Sequence, residues 1–215
     1  MRILAIADLH GVMDVYEWLV ESAGKFRPGA VILAGDLLSG GWEAEQRAEA
    51  QGVILPLLKR IPCPVFYIMG NDDEVALDYE DDQIRPLHFR RLSCGGFQFV
   101  GYQFTPPFAG STFVKPEDEI ESDLRLLGPL LDKQTVLVTH APAYGAQDEA
   151  FGGEHVGSPS LARLMDRTPV LAHIHGHIHQ GFGRQGNHFN AASGGLRRAF
   201  LIDLPSLDHT VLDGG

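Results

Sequence analysis

The stretch Ile3-Leu4-Ala5-Ile6-Ala7-Asp8-Leu9-His10 constrains this chain most, because four later stretches are built the same way. Its apolar run has the length of a buried strand, and Gly11 after it signals a turn. Residues i and i+2 of an extended chain point the same way, so Asp8 and His10 are expected to aim at one point. Ala30-Val31-Ile32-Leu33-Ala34 then ends in Gly35-Asp36, and Pro64 to Met69 ends in Gly70-Asn71-Asp72-Asp73. Thr135 to Thr139 stops at His140, and Pro169 to Ile174 leads into His175-Gly176-His177-Ile178-His179. Any one of these endings alone has an ordinary explanation as a turn or a helix cap. Five in a row, each placing a carboxylate, amide or imidazole at a strand end, point to one shared site.

The segments between them fix the class. Val12, Tyr16, Leu19, Val20 and Ala23 recur at helical spacing and are stopped by Pro28-Gly29. A second helix is predicted from about Trp42 to Lys59, kinked or shortened by Pro56. Strand-helix-strand alternation implies a parallel α/β layer, in which ligands sit beyond the carboxyl ends of the strands. Leu87 to Arg91 and Phe97 to Phe104 suggest a hairpin around Gly95-Gly96. Residues 105–116 read as a loop, and 104–115, Pro-rich and apolar, is a candidate either for a lid over the site or for packing on the sheet edge. A helix opens at Glu117, with three acidic residues in its first turn where the dipole favours them. Another starts at Ser158-Pro159, an N-cap followed by proline at the first helical position. Phe182 to Asn190 and Arg197 to Leu204 alternate as antiparallel strands. Without an internal repeat or a linker, residues 1–215 are expected to form one domain.

Composition narrows the function. The 215 residues are 44% apolar and 21% charged, as in a soluble globular chain, and no apolar run reaches the ~18 residues of a membrane span. Two cysteines, Cys63 and Cys94, make neither a disulfide framework nor a zinc-type pair. With strand-like sequence directly after Met1-Arg2, the expected location is the cytoplasm. A net charge of -11 opposes tracking along a nucleic-acid backbone. A homo-oligomer is left open.

The donor set combines oxygen and imidazole without thiolate, which suits Mn²⁺, Fe, Zn²⁺, Co²⁺ or Ni²⁺. Asp8, His10, Asp36, Asn71, His140, His177 and His179 are too many ligands for one ion with an open position. Two ions about 3.5–4 Å apart sharing a carboxylate fit better, and such a pair suits displacement at phosphorus.

The order Asp8-Leu9-His10, Gly35-Asp36, Gly70-Asn71, Thr139-His140-Ala141-Pro142 and Gly176-His177-Ile178-His179 resembles the calcineurin-like metallophosphoesterase superfamily, over residues 3 to about 195. His140 to Gly181 further resembles its small prokaryotic members. The resemblance implies a four-layer αββα sandwich of two mixed sheets flanked by helices. It also implies Asp8, His10, Asp36 and His179 around one ion and Asp36, Asn71, His140 and His177 around the other, with Asp36 bridging. The implied activity is hydrolysis of a small phosphorylated substrate by a metal-bridging hydroxide. A catalytically weak protein-interaction scaffold and a nuclease are the competing functions.

One position departs from the pattern. Many phosphomonoesterases of the superfamily carry histidine directly after the motif asparagine, where it protonates the leaving group. Here that residue is Asp72. A carboxyl beside two dications is a poor proton donor at neutral pH. The departure favours phosphodiesters, or a substitute donor, or Asp72 as a metal ligand. Among histidines His155 is the first candidate donor, then His173 and His175, with His173 expected to be structural. His88, His188 and His209 are expected at the surface or in polar networks. Arg197 and Arg198 are candidates for binding phosphate, of which at most one would point inward.

Overall fold

The computed structural model describes residues 1–107 and 112–215. Its strands begin with β1 (Arg2–Ile6), β2 (Ala30–Ala34), β3 (Val65–Ile68), β4 (Ile84–Pro86), β5 (Arg91–Cys94) and β6 (Phe97–Tyr102). They continue with β7 (Thr135–Thr139), β8 (Ala172–His175), β9 (Gly183–Gln185), β10 (His188–Asn190), β11 (Arg198–Asp203) and β12 (Asp208–Asp213). The α-helices are α1 (Met13–Phe26), α2 (Glu43–Glu49), α3 (Leu55–Leu58), α4 (Glu117–Leu127) and α5 (Pro159–Arg167).

One sheet has the order β12-β11-β1-β2-β3-β4, the other β5-β6-β7-β8-β10-β9. In the first, β1 to β4 run parallel and β11 joins β1 antiparallel. In the second, β6, β7, β8 and β10 run parallel between two antiparallel edges. Three hydrophobic layers hold these sheets and helices together. Ile3, Ala5, Ile32 and Phe66 meet Phe99, Val136 and Ile174 between the sheets. Leu4, Ile6, Val31 and Leu33 pack outward on Tyr16 and Leu19 of α1 and Leu58 of α3. Val100 and Leu137 pack on Ile120 and Leu124 of α4 and Leu161 of α5. Successive residues of β1 thus serve two different cores, which is why its sequence is continuously apolar rather than alternating. The result is the four-layer αββα sandwich.

Local departures from the expected elements have physical causes. The second helix does run through Pro56, but by way of a π-helical turn at Ala50–Ile54. Pro56 lacks the N–H that an α-helical turn would need there, and the wider turn accommodates that loss. The hairpin around Gly95-Gly96 is β5 with β6, so its first arm is Arg91–Cys94 rather than 87–91. The chain just before it, Ile84–Pro86, instead extends the first sheet beside β3. Ser158 caps α5 as expected, its Oγ accepting from Leu161 N–H at 3.1 Å. Glu117 reaches across to the same helix start: its Oε1 accepts from Ser158 Oγ–H at 2.8 Å and Ser160 N–H at 2.6 Å. Cys63 and Cys94 are free and partly buried, and burial pushes the Cys63 thiol up to about 11. Among the described residues no helix is long and apolar enough to cross a membrane. Residues 108–111 of the candidate lid lie outside the described residues. Beside them, Thr105 bridges Val114 and Thr112 Oγ donates to Glu74 Oε2 at 2.6 Å.

Candidate metal centre

The turns after β1, β2, β3, β7 and β8 meet at one end of the sandwich. Asp8 N–H donates to Gly35 O at 2.9 Å, His10 N–H to Asp36 O at 3.0 Å, and Gly176 N–H to His140 O at 3.1 Å. Asp8, His10, Asp36 and His177 have φ of 57, 47, 51 and 71°, in the left-handed region. This corrects the expectation that Asp8 and His10 converge as alternate residues of an extended strand. β1 ends at Ile6, and the side chains come together from left-handed residues Asp8 and His10 on either side of Leu9. Non-glycine residues rarely adopt this conformation, and its cost is tolerated where the surroundings enforce it, commonly at functional sites. The backbone also comes unusually close to the ligand-type groups. A Cβ on Gly70 would collide with Asp36 Oδ1, and one on Gly176 with Asp8 Oδ2.

Within this frame the side-chain donors converge. Among the described residues three sets bring their ligand atoms within 4.8 Å of one another: Asp8, His10 and His179; Asp8, Asp36 and His140; and His10, Asp36 and Asp72. Asp8, Asp36 and His140 are buried. Asn71 Oδ1 lies 3.0 Å from His140 Nε2, which is also 3.2 Å from Asp36 Oδ2. The His177 ring lies against that of His140, with centroids 5.3 Å apart, and the His177 backbone N–H donates to both Asp8 carboxylate oxygens at 3.1 and 3.0 Å. The sequence-predicted ligands are therefore gathered in one place.

These atoms compete for positive charge. His140 Nδ1–H donates to Ala34 O at 2.8 Å, so in the neutral ring Nε2 carries a lone pair. That lone pair would face two acceptors, Asp36 Oδ2 and Asn71 Oδ1. Burial would lower the His140 value, but the Asp36 charge overrides it and lifts it to about 10. Burial would likewise raise Asp36, yet His140 and the Asp72 N–H hold it at about 2. His179 Nε2 is in a similar position, 3.1 Å from Asp8 Oδ1 and 3.2 Å from His10 Nε2. One proton on His179 Nε2 serves Asp8 or His10, never both. A cation among these groups would give the facing lone pairs a common partner, and the orienting bond from His140 Nδ1 to a backbone carbonyl is the support that metal-ligating imidazoles use. The residues present therefore fit divalent cations.

Asp72 sits at the edge of this group. Its Oδ1 accepts from Asn71 Nδ2–H at 2.8 Å, and Oδ2 lies 3.8 Å from His10 Nδ1. Burial and the nearby Asp36 charge raise its value, a shift that bound cations would oppose. Asp73 plays a different part. It is fully buried, its Oδ1 accepts from Leu37 and Leu38 N–H at 2.9 and 2.8 Å, and its Oδ2 from Gly70 N–H at 2.8 Å. It ties the turn carrying Asp36 to the turn carrying Asn71. Sequence reasoning saw only an acidic pair here. The one signal available was that a second acid at a strand end needs its own partners.

The remaining histidines divide by burial. His155 is exposed and lies in the 145–157 loop, with Nδ1 2.7 Å from Asp148 Oδ1. The Asp148 bond and charge raise His155 above the usual imidazole value. His173 and His175 are fully buried and their rings stack, and burial holds both neutral, His175 at about 3. His173 bridges Thr139 Oγ at 2.7 Å and His188 Nδ1 at 3.0 Å, the expected structural role. His88 is packed among Phe89, Tyr102 and Phe104, where burial lowers it to about 4. His209 packs on Phe189 and Phe200 beside Arg184. Neither arginine offers a free guanidinium. Arg197 pairs with Asp14 at 2.6 Å. Arg198 donates to the carbonyls of His179, Ala192 and Ser193 at 2.9, 2.9 and 3.1 Å, steadying the turn that carries His179.

Residues 1–181 match the calcineurin-like phosphoesterases, and the chain belongs to that family. It is 25% identical over 182 residues to a cAMP/cGMP dual specificity phosphodiesterase of Mycobacterium tuberculosis (strain CDC 1551 / Oshkosh). That match covers 80% of this chain and 56% of the relative, so the chain spans little more than half the relative's length. A crystal structure from Thermus thermophilus shares the fold with a TM-score of 0.76 at 18% identity, over 99% of this chain and 98% of that one. A dimetal phosphatase from Danio rerio has a TM-score of 0.62 at 11% identity, over 100% and 99% of the two chains.

Proposed function

We propose that this chain is a dinuclear metal-dependent phosphoesterase acting on a small phosphodiester. The observation that carries the proposal is the convergence of Asp8, His10, Asp36, His140 and His179, whose ligand atoms fall into sets lying within 4.8 Å of one another. Asp8, His10, Asp36 and His179 would hold one cation, and Asp36, Asn71, His140 and His177 the other, with Asp36 shared. Bound there, two cations would supply a water of lowered pKa and neutralise charge on the phosphoryl oxygens. Asn71 is oriented for this by the hydrogen bond its Nδ2–H donates to Asp72 Oδ1. Hydrolysis adds water across one P–O ester bond, and the departing oxygen takes a proton. His155, held by Asp148, is the side chain assigned to supply it, because Asp72 stands where a histidine donor would otherwise be. The name of the mycobacterial relative, a cyclic-nucleotide phosphodiesterase, supports the preference for diesters.

Steady-state rates on bis(4-nitrophenyl) phosphate and 4-nitrophenyl phosphate, with manganese, zinc or iron added, test the proposal. Turnover of neither ester with two ions bound would overturn it in favour of a binding scaffold. Asp72→His is expected to raise the monoester-to-diester rate ratio about tenfold or more, since positioned acid catalysis contributes ~10²–10⁴-fold. An unchanged ratio with both ions retained would remove Asp72 from the account of substrate preference.

The donor role of His155 has a pH signature. Asp148 raises its value, so the ring is protonated below that value and loses its proton as pH climbs through it. Turnover of an alkyl ester, whose leaving oxygen needs a proton, is expected to fall on that alkaline limb. His155→Ala should remove the limb and lower kcat by about 10². A pH profile unchanged by this substitution would assign the proton to another group.

A further inference from the structure

Helix α2 turns a polar side chain, not an apolar one, toward the protein. Its buried residue is Gln46, at 1% exposure. A buried amide needs partners, and this one finds them on two different turns. Gln46 Nε2 donates to Ser39 O at 2.8 Å and to Asp72 O at 2.9 Å, and Oε1 accepts from Glu74 N–H at 2.6 Å. Two carbonyls and one N–H fix the orientation of the amide, because each carbonyl requires a donor and the N–H an acceptor. Asp72 is thereby held on both sides. Its N–H donates to Asp36 Oδ1 at 2.9 Å, and its carbonyl accepts from Gln46. With both flanking peptide groups anchored, the direction in which side chain 72 leaves the main chain is set. The carboxyl accepts from Asn71 Nδ2–H at 2.8 Å and stands 3.8 Å from His10 Nδ1. Glu49 lies three residues along α2, on the same face. Its Oε2 accepts from Ser39 N–H and Oγ–H, each at 2.8 Å. That brace is on the turn after β2, whereas Gln46 reaches the turn after β3 as well.

We propose that Gln46 is a positioning residue for position 72, and so a determinant of ester preference that acts from outside the metal centre. The proposal rests on the phosphoesterase reading above and adds a residue to it. The partners of Gln46 are main-chain groups, so it acts through the backbone of Asp72. Position 72 is where a histidine donor would otherwise stand. Whatever side chain occupies it, carboxyl or imidazole, extends from a main chain that Gln46 holds.

The ratio of rates on 4-nitrophenyl phosphate and bis(4-nitrophenyl) phosphate reads this role, because a uniform loss of folded enzyme cancels in a ratio. Gln46→Met keeps the side-chain length and removes the amide. Asp72→His alone is expected to raise the monoester-to-diester ratio about tenfold. Adding Gln46→Met should cut that gain to about twofold or less, since residues that share a hydrogen-bond network do not act additively. Glu49→Gln is the control and should leave the gain at full size. A full gain in the Gln46→Met background would overturn the proposal, and so would an equal loss with Glu49→Gln. Gln46→Asn draws the same amide back by one methylene and takes the place of Gln46→Met if that variant does not fold. If neither ester is turned over, the phosphoesterase reading fails; if Asp72→His leaves the ratio unmoved, its account of position 72 fails. In either case nuclear magnetic resonance of the metal-free protein still reads the positioning. Gln46→Met should shift the Asp72 N–H signal and the side-chain amide signals of Asn71, and Glu49→Gln should not. Parent signals at both residues in Gln46→Met would overturn the positioning role independently of catalysis.

Discussion

Asp36→Asn is expected to remove both cations together and to lower kcat/KM by at least about 10³. Asp36 is almost fully buried, with Oδ2 3.2 Å from His140 Nε2 and 3.9 Å from His10 Nε2. His140 belongs to one proposed ligand set and His10 to the other, so Asp36 is the carboxylate both ions would share. Asparagine keeps the size, and its oxygen keeps the bond from Asp72 N–H, now 2.9 Å. It deletes the charge and turns an amide donor toward imidazole nitrogens that must act as ligands. A loss of 10³ corresponds to about 4 kcal/mol, in keeping with the several kcal/mol that metal ions contribute to charge stabilisation. Metal content per chain, measured after gel filtration, gives the decisive reading. Two ions in the parent protein and none in the variant is the expected result. Retention of one tightly held ion would show that Asp36 serves a single site and would end the bridging assignment.

Much of this centre was legible because the ligand-type residues sit at the ends of apolar runs, and such runs fold into strands whose carboxyl ends share one edge of the sandwich. The residues that gather there, Asp8, His10, Asp36, Asn71, His140, His177 and His179, could be named as candidate ligands without knowing a single angle. How those residues converge could not be read. A left-handed φ at aspartate or histidine leaves no mark in the sequence, and extended alternation gave the right partners by the wrong route. Contacts far apart in the chain were equally hidden. Arg198 looked like a phosphate ligand, yet the turn at His179 presents carbonyls that claim its donors. Glu117 looked like a first-turn acid of its own helix, yet it accepts from the start of α5 as well. Strand β4 is three residues long and carries Arg85 and Pro86, so neither period nor propensity marks it. Its pairing with β3 supplies the hydrogen bonds that its sequence does not advertise.

Asp73→Ala is expected to be among the most destabilising single substitutions in the chain, although the residue need touch neither ion. Its carboxyl group satisfies three buried backbone N–H groups, those of Leu37, Leu38 and Gly70. Alanine leaves all three without an acceptor where water does not reach. At about 1–3 kcal/mol for each unmet buried group, the three together cost about 3–9 kcal/mol. A domain of this kind has ~5–15 kcal/mol of total stability, so that loss is a large share of it. Asp73→Asn retains one acceptor oxygen and is expected to cost about half as much, which separates lost hydrogen bonds from lost volume. Urea denaturation of the metal-free proteins measures both. The same pair of variants also bears on the site. Leu37 directly follows Asp36 and Gly70 directly precedes Asn71, so loosening Asp73 lets two ligand-bearing turns move apart. Metal affinity should therefore fall in the order parent, Asp73→Asn, Asp73→Ala at a temperature where all three remain folded. If Asp73→Ala unfolds within about 1 kcal/mol of the parent, the three N–H groups have found other acceptors. The tie between the turns would then lie elsewhere.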